Sequence, residues 1–320
     1  MARVLSIQSH VVSGYVGNRA AAFPLQLLGH QVDVINTVQF SNHTGYNTVH
    51  GERFASSHIL DLFAGLQANG LDHGYTHLLT GYMGNSENVR AVESIARQLK
   101  QTNPELTFVV DPVLGDDGAL YVPQELVALY RDVLCPMASL VTPNQFEAEM
   151  LTNTKIATLE DAKQACDQLH SLGVPNVVIT SASLADRDST KDDVLYLIGS
   201  EFCSRTNSKH QFVITFPRLS GYFTGSGDFF AALVLARHAS LAPQFNELGA
   251  LAKACELALA TQAGVMAATK QYQESTGISA LPNLPRGQRA SEMVNGFELR
   301  IIPARHLITN PTDSFTAVSI

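Results

Sequence analysis

The tetrapeptide Gly225-Ser226-Gly227-Asp228 leads straight into an apolar helical run from Phe229 to Ala239. Glycines let a backbone turn closely around an anion, and the amides at the start of a helix aim partial positive charge at it. A phosphate group suits such a place. A carboxylate in the first turn would repel that phosphate unless Asp228 has another task, and taking a proton from an attacking hydroxyl is one. Together these features point to phosphoryl transfer. Plain N-terminal capping by Ser226 or Asp228 explains the same four residues, and on the tetrapeptide alone it is the stronger reading.

Two further groups could support that chemistry. Asp111-Pro112-Val113-Leu114-Gly115-Asp116 puts two carboxylates on one turn after an apolar run. Carboxylates beside phosphates need cations between them. Mg²⁺ prefers oxygen ligands and keeps several waters, so Asp116 with nucleotide phosphates suffices, and Glu147 is a second or water-mediated partner. Asp111 taken alone is equally well a turn residue. Asn144 and Glu147 share a helical face if a helix begins near Gln145, and a capping box is a sufficient structural account of the pair. Thr142, Asn144, Glu147, Asp111 and Asp116 would cluster in space if their strands lie side by side.

Other chemistries lack their residues. None of the eleven histidines has zinc-site spacing. His43, in a loop at a strand end, is the one kept as a substrate neighbour. There is no Gly-x-Ser-x-Gly elbow and no Walker-type loop. Gly14-Tyr15-Val16-Gly17 has the wrong spacing for a dinucleotide fingerprint.

The elements that must position these residues alternate. Strands are expected at Val4–Gln8, Val32–Val38, His77–Thr80, Leu106–Val110, Ser139–Val141 and Asn176–Thr180, with helices between them. The first helix, Asn18–Leu28, is interrupted by Pro24 in this reading. Such alternation favours an α/β fold with a mainly parallel sheet covered on both faces. Val194–Ile198 and Phe212–Phe216 suit an antiparallel edge, and long helices return at Phe229–Ala239 and Leu248–Ala268. Residues 275–292 read as a long surface connection before a short strand at Glu298–Ile302, and residues 1–320 read as one domain. Ligands collect at the carboxyl ends of parallel strands, and unusual polar residues stand there: Ser9-His10, Asn42-His43-Thr44-Gly45, Thr80-Gly81-Tyr82, Asp111, Thr142-Pro143-Asn144 and Thr180-Ser181.

The bulk numbers narrow the class. A chain of 320 residues, 45% apolar and 16% charged, buries a large core. A net charge of −8 with no basic run argues against nucleic acid. No apolar stretch approaches membrane-spanning length, and no secretory leader is read at the N-terminus. Cys135, Cys166, Cys203 and Cys255 are scattered, as in a cytosolic protein with reduced thiols.

These motifs, in order, resemble the pyridoxal kinase family of the ribokinase-like superfamily. The matching blocks are Ser6-Ile7-Gln8-Ser9-His10, Gly14-Tyr15-Val16-Gly17-Asn18, the segment from Val38 to Tyr46, Leu79-Thr80-Gly81-Tyr82, the segment from Asp111 to Asp116, the segment from Thr142 to Glu149 and the Gly-Ser-Gly-Asp turn. They span nearly the whole chain. The resemblance implies a ribokinase-like fold and ATP-dependent phosphorylation of the 5′-hydroxymethyl group of pyridoxal, pyridoxine and pyridoxamine. It implies Asp228 as the base, with Gly225, Ser226 and Gly227 as the anion hole. Ser9, Val16, His43, Thr44, Tyr82 and Tyr121, with Gly225 and Asp228, would contact the vitamin. Asp111, Asn144, Glu147, Thr180, Ser181, Leu219, Ser220, Gly221, Ser226 and Gly227 would hold the nucleotide. Asp116 and Glu147 would bind Mg²⁺ or another divalent cation such as Zn²⁺. Asp111, Thr142 and Thr180 resemble a site for K⁺ or Na⁺.

A cytoplasmic homodimer is the family expectation. Ser226 stands where threonine is common, the Asp116–Tyr121 stretch is shorter than the lid of animal relatives, and Met83-Gly84-Asn85 replaces basic or polar residues beside Tyr82. Two other functions stay open: a kinase for the hydroxymethylpyrimidine precursor of thiamine, and a non-catalytic carrier of pyridoxal 5′-phosphate.

Overall fold

A computed structural model of the chain describes residues 1–116, 118–185, 194–246, 248–278, 290–312 and 314–320. In chain order the elements are β1 (Arg3–Val11), α1 (Asn18–Leu27), β2 (Gln31–Phe40), β3 (Gly51–Arg53), α2 (Ser56–Ala68), β4 (His77–Thr80), α3 (Ser86–Thr102), β5 (Thr107–Val110), β6 (Gly115–Asp116), β7 (Ala119–Leu120), α4 (Glu125–Leu129) and β8 (Leu140–Val141). Then follow α5 (Gln145–Thr152), α6 (Leu159–Ser171), β9 (Asn176–Ala182), β10 (Val194–Cys203), β11 (Ser208–Pro217), α7 (Ser226–Leu241), α8 (Ala250–Ser275), α9 (Ser291–Gly296), α10 (His306–Thr309) and β12 (Val318–Ser319).

Ten strands form one sheet in the order β12-β11-β10-β9-β8-β5-β4-β1-β2-β3. The six from β9 to β2 run parallel, and both flanks are antiparallel: β10, β11 and β12 on one side, β3 on the other. Alternate residues of each strand feed opposite cores, because side chains point to opposite faces with a period of two. Leu5, Ile7, Leu78, Phe108, Val110, Val177 and Ile179 pack with the apolar faces of α2, α3, α4, α5 and α6. Val4, Leu79, Val109, Leu140 and Val178 pack with α1, α7 and α8. Helix α7 is buried from Phe229 to Ala236, and it packs between α1 and α8. That explains why its sequence is apolar on every side.

Several expectations are corrected. Strand β1 continues through Ser9 and His10 to Val11 instead of ending before them. Its register against β2 shifts between Gln8 and His10, whose partners are Asn36 and Gln39. Ser9 sits at this irregularity, at the strand's carboxyl end. Pro24 does not interrupt α1; with Ala20, Ala21 and Leu25 buried around it, the loss of one donor is tolerated. Glu298–Ile302 is not a strand but an irregular and turn segment after α9, and the terminal strand is β12. Within the expected connection, 275 closes α8 and 291–292 open α9, while 279–289 lie outside the described residues. The short strand β3 and the β6–β7 hairpin carried no sequence signal that was recognised.

Candidate active site

The carboxyl ends of β1, β2, β5, β8 and β9, the β6–β7 hairpin and the start of α7 surround a cavity of ≈ 450 Å³. That size falls in the range of small-molecule sites, roughly 300–1,000 Å³. Its lining includes Ser9, Val16, His43, Thr44, Tyr82, Asp111, Asp116, Tyr121, Thr142, Asn144, Glu147, Thr180, Gly225, Ser226, Gly227 and Asp228. Ser181, Leu219, Ser220 and Gly221 are not in that lining; Ser220 receives a hydrogen bond from Lys270 instead.

At the head of α7 the capping explanation fails. Gly225 is the N-cap, in the left-handed region at φ 82°, and no side chain caps the helix. The Ser226 hydroxyl donates back to the Phe223 carbonyl at 3.1 Å, and Asp228 accepts the Gly17 amide at 2.8 Å. The first-turn amides are therefore left to an external acceptor. Glycine is required at 225: a Cβ there would lie 1.9 Å from the Tyr15 carbonyl oxygen. Removal from bulk water pushes the Asp228 carboxyl up to about 6, partly offset by the Gly17 hydrogen bond. A carboxylate with that value is ionised at neutral pH and still basic enough to accept a proton.

Asp111, Thr142 and Glu147 form a buried wall. Thr142 donates to Asp111 at 3.2 Å. Burial, followed by the charges of Glu147 and Asp228, holds the Asp111 carboxyl well above the usual range. Asn144 and Glu147 do form the capping box of α5. The Glu147 oxygens accept from the backbone amides of Asn144 (2.9 Å), Leu114 (2.9 Å) and Gly115 (3.4 Å), and the Asn144 side-chain Nδ2 donates to the Gly115 carbonyl at 2.8 Å. Burial raises the Glu147 carboxyl while these backbone donors pull it down. With both oxygens engaged, Glu147 suits a water-mediated contact to a cation better than a direct one. Among the described residues no set of three His, Cys, Asp or Glu side chains is arranged to hold a metal. The wall nonetheless fits cations: four acidic side chains, Asp111, Asp116, Glu147 and Asp228, line the cavity, and Arg53 is the one Lys or Arg among its described lining residues. A cation here would draw on phosphate oxygens, hydroxyls and water as well.

Another part of the lining is apolar, the cluster of Val11, Val16, Val38 and Phe40 with Tyr82 packed against it. Arg53, on β3, donates to the Tyr82 hydroxyl at 2.9 Å and stands over the Phe40 ring at 5.0 Å. Thr37 fixes the Tyr82 backbone by donating to its carbonyl at 2.8 Å. His43 is buried, and its Nδ1 accepts the Gly45 amide at 3.1 Å. Arg53, Tyr222, Phe223 and Thr224 line the cavity without having been singled out in the sequence. Arg53 sits in a polar stretch with no pattern to mark it. The aromatic pair just before Gly225 was readable as part of the same turn.

Comparison with known proteins adds three findings. The family model described as phosphomethylpyrimidine kinase matches residues 27–261. A pyridoxal kinase of Arabidopsis thaliana is 42% identical over 309 residues, 97% of this chain and 92% of that one. One of Homo sapiens is 40% identical over 318 residues, covering 97% and 96%. Among solved structures, a pyridoxal kinase of Leishmania donovani in complex with ADP and pyridoxamine superposes with a TM-score of 0.85 at 33% identity, over all of both chains.

Proposed function

The chain belongs to the pyridoxal kinase family, and from that premise we infer that it transfers the terminal phosphoryl group of ATP to the 5′-hydroxymethyl group of pyridoxal, pyridoxine or pyridoxamine. The observation that carries this reading is the uncapped start of α7 beside Asp228, in a cavity with an acidic wall at one end and an apolar pocket at the other. A carrier would have no use for both a base and converging carboxylates. The phosphomethylpyrimidine kinase model matches part of the chain, whereas the pyridoxal kinases match nearly all of it at 40% identity or more, which favours the vitamin B6 acceptor.

In this reading the acceptor ring lies between Val16, Tyr82 and His43, with Ser9 and Thr44 at its polar edge, and Tyr121 closes the cavity from the hairpin side. Asp228 accepts the proton of the 5′-hydroxyl as the new ester bond forms. The amides of Gly225, Ser226 and Gly227 stabilise the charge that builds on the transferring phosphoryl oxygens. Asp111, Asn144, Glu147, Thr180 and Ser181, with the segment from Leu219 to Gly221, hold the nucleotide from the other side. Asp116 and, through water, Glu147 would hold Mg²⁺, and Asp111, Thr142 and Thr180 a monovalent cation. When bound, these ions neutralise phosphate charge and align the phosphates. The Gly17 amide on Asp228 keeps that carboxylate pointed along the cavity before substrate arrives. We further place the reaction in the cytoplasm and expect a homodimer, on the scattered free cysteines and the family likeness.

The test is ADP release by purified protein with MgATP and each acceptor under identical conditions. The three vitamers should each support turnover, and hydroxymethylpyrimidine at the same concentration should support much less. Preference for hydroxymethylpyrimidine would reverse the assignment, and stoichiometric binding of pyridoxal 5′-phosphate with no ADP release would favour a carrier.

A further inference from the structure

We propose that Glu298 is a positioning residue for the acceptor half of the cavity, holding its two loops in one arrangement although it does not itself line the space. This rests on the kinase reading above. Glu298 lies just after α9, and its side chain is only 11% exposed. One oxygen is 3.1 Å from His43 Nε2 and 3.0 Å from the Tyr46 hydroxyl; the other accepts the Tyr15 amide at 3.1 Å. The carboxylate is packed so closely against Gly14 that a Cβ there would come within 2.6 Å of its oxygen. Three donors from two separate loops thus meet on one mostly buried carboxylate, an arrangement in which each hydrogen bond is charge-assisted.

The consequences for the site follow from the partners. His43 Nδ1 accepts the Gly45 amide, so the ring proton is on Nε2 and points at Glu298. Both ring nitrogens are engaged within the protein, and His43 meets a ligand with its ring, not as a base. Gly45 has to be small, since a Cβ would lie 2.8 Å from that ring. On the other loop, the residues beside Tyr15 touch the chemistry: the Tyr15 carbonyl abuts Gly225, and the Gly17 amide bonds Asp228. The neighbouring Phe297 packs edge-on against Phe223 at 5.4 Å, on the stretch leading into Gly225. A segment distant in sequence therefore braces both walls of the acceptor pocket.

Glutamine at 298 keeps the shape but offers one oxygen where two accept now, and its NH₂ would face a donor. Glu298→Gln should raise KM for pyridoxal about tenfold or more, with any fall in kcat smaller than that rise and KM for ATP unchanged. Tyr46→Phe, which removes one of the three donors, should raise the same KM by about two- to fivefold. Titration calorimetry of pyridoxal without nucleotide should show matching losses of affinity. An unchanged pyridoxal KM and affinity in a Glu298→Gln protein that melts as a folded chain would overturn the proposal, as would a loss confined to kcat. If Glu298→Gln does not fold, Tyr46→Phe decides by the same criterion. Wild-type turnover is the control that separates the two claims: its absence would sink the kinase reading, whereas normal wild-type turnover with unchanged variants would sink only the role of Glu298.

Discussion

At one end of the cavity burial and the charges of Glu147 and Asp228 raise the proton affinity of Asp111, with no lysine or arginine beside it among the described lining residues, whereas at the other end Arg53 is bonded to Tyr82 and, behind the lining, Glu298 is met by three donors. The acceptor end is satisfied by the protein itself. In the proposed kinase reading the acidic end is completed by cations and phosphates, and its buried charge is a means of recruiting them. On that reading, stability is given up where the proposed chemistry happens and retained where the acceptor is shaped.

Chelation of divalent cations should have the largest effect on this contrast. It should lower turnover by on the order of 10³-fold, as expected when charge stabilisation worth several kcal/mol is withdrawn. Pyridoxal binding by calorimetry should be left nearly unaltered. Turnover that survives chelation would mean the acidic wall is not a cation site.

The second prediction concerns pH. Asp228 must be ionised to accept a proton, and its value is about 6. The kcat/KM for pyridoxal should therefore fall about tenfold per pH unit below that value and level off above it. A profile flat down to pH 5 would argue against Asp228 as the base.

At the acceptor end, Arg53→Gln should change KM for pyridoxal by only about two- to fivefold, because Arg53 is exposed and its bond to Tyr82 is screened by water. A hundredfold effect would show that the contrast between the two ends has been drawn wrongly.

The smallest expected effect is on stability. The folded Asp228 carboxyl lies above the ordinary 3.8, so the folded state binds the proton more tightly and stability falls as pH rises from that value through about 6. Asp228→Asn removes this cost. Before ligand is added, the variant should be more stable than wild type by about 1–3 kcal/mol at pH 8, and the difference should vanish below pH 4. Melting curves at the two pH values check it.

Much of this could be read from residue order. The alternation of strand and helix gave a mainly parallel sheet, and from the strand ends Ser9, His43, Thr44, Tyr82, Asp111, Thr142, Asn144 and Thr180 meet around one cavity, whereas Thr80, Gly81 and Ser181 are not in its lining. The Asn144–Glu147 spacing announced a capping box, and the box is present in addition to the pair's place in the lining. What escaped was tertiary. Nothing local marks Glu298, whose partners are 252 to 283 residues away, and apolar neighbours on both sides make its segment look like a strand. Arg53 was missed for the same reason: a three-residue strand is held by pairing with β2 rather than by its own propensity. The extension of β1 through Ser9 coincides with a register shift against β2, a property of the strand pair that neither sequence marks alone.

The central claim is that Asp228 takes the proton from the acceptor hydroxyl at the head of α7. The most direct measurement compares kcat for pyridoxal phosphorylation, by ADP release at saturating MgATP, with the calorimetric affinity for pyridoxal in wild type and Asp228→Asn. The prediction is a fall in kcat of about 10²–10⁴-fold with pyridoxal affinity held within a few-fold. Wild-type turnover in the variant would contradict it.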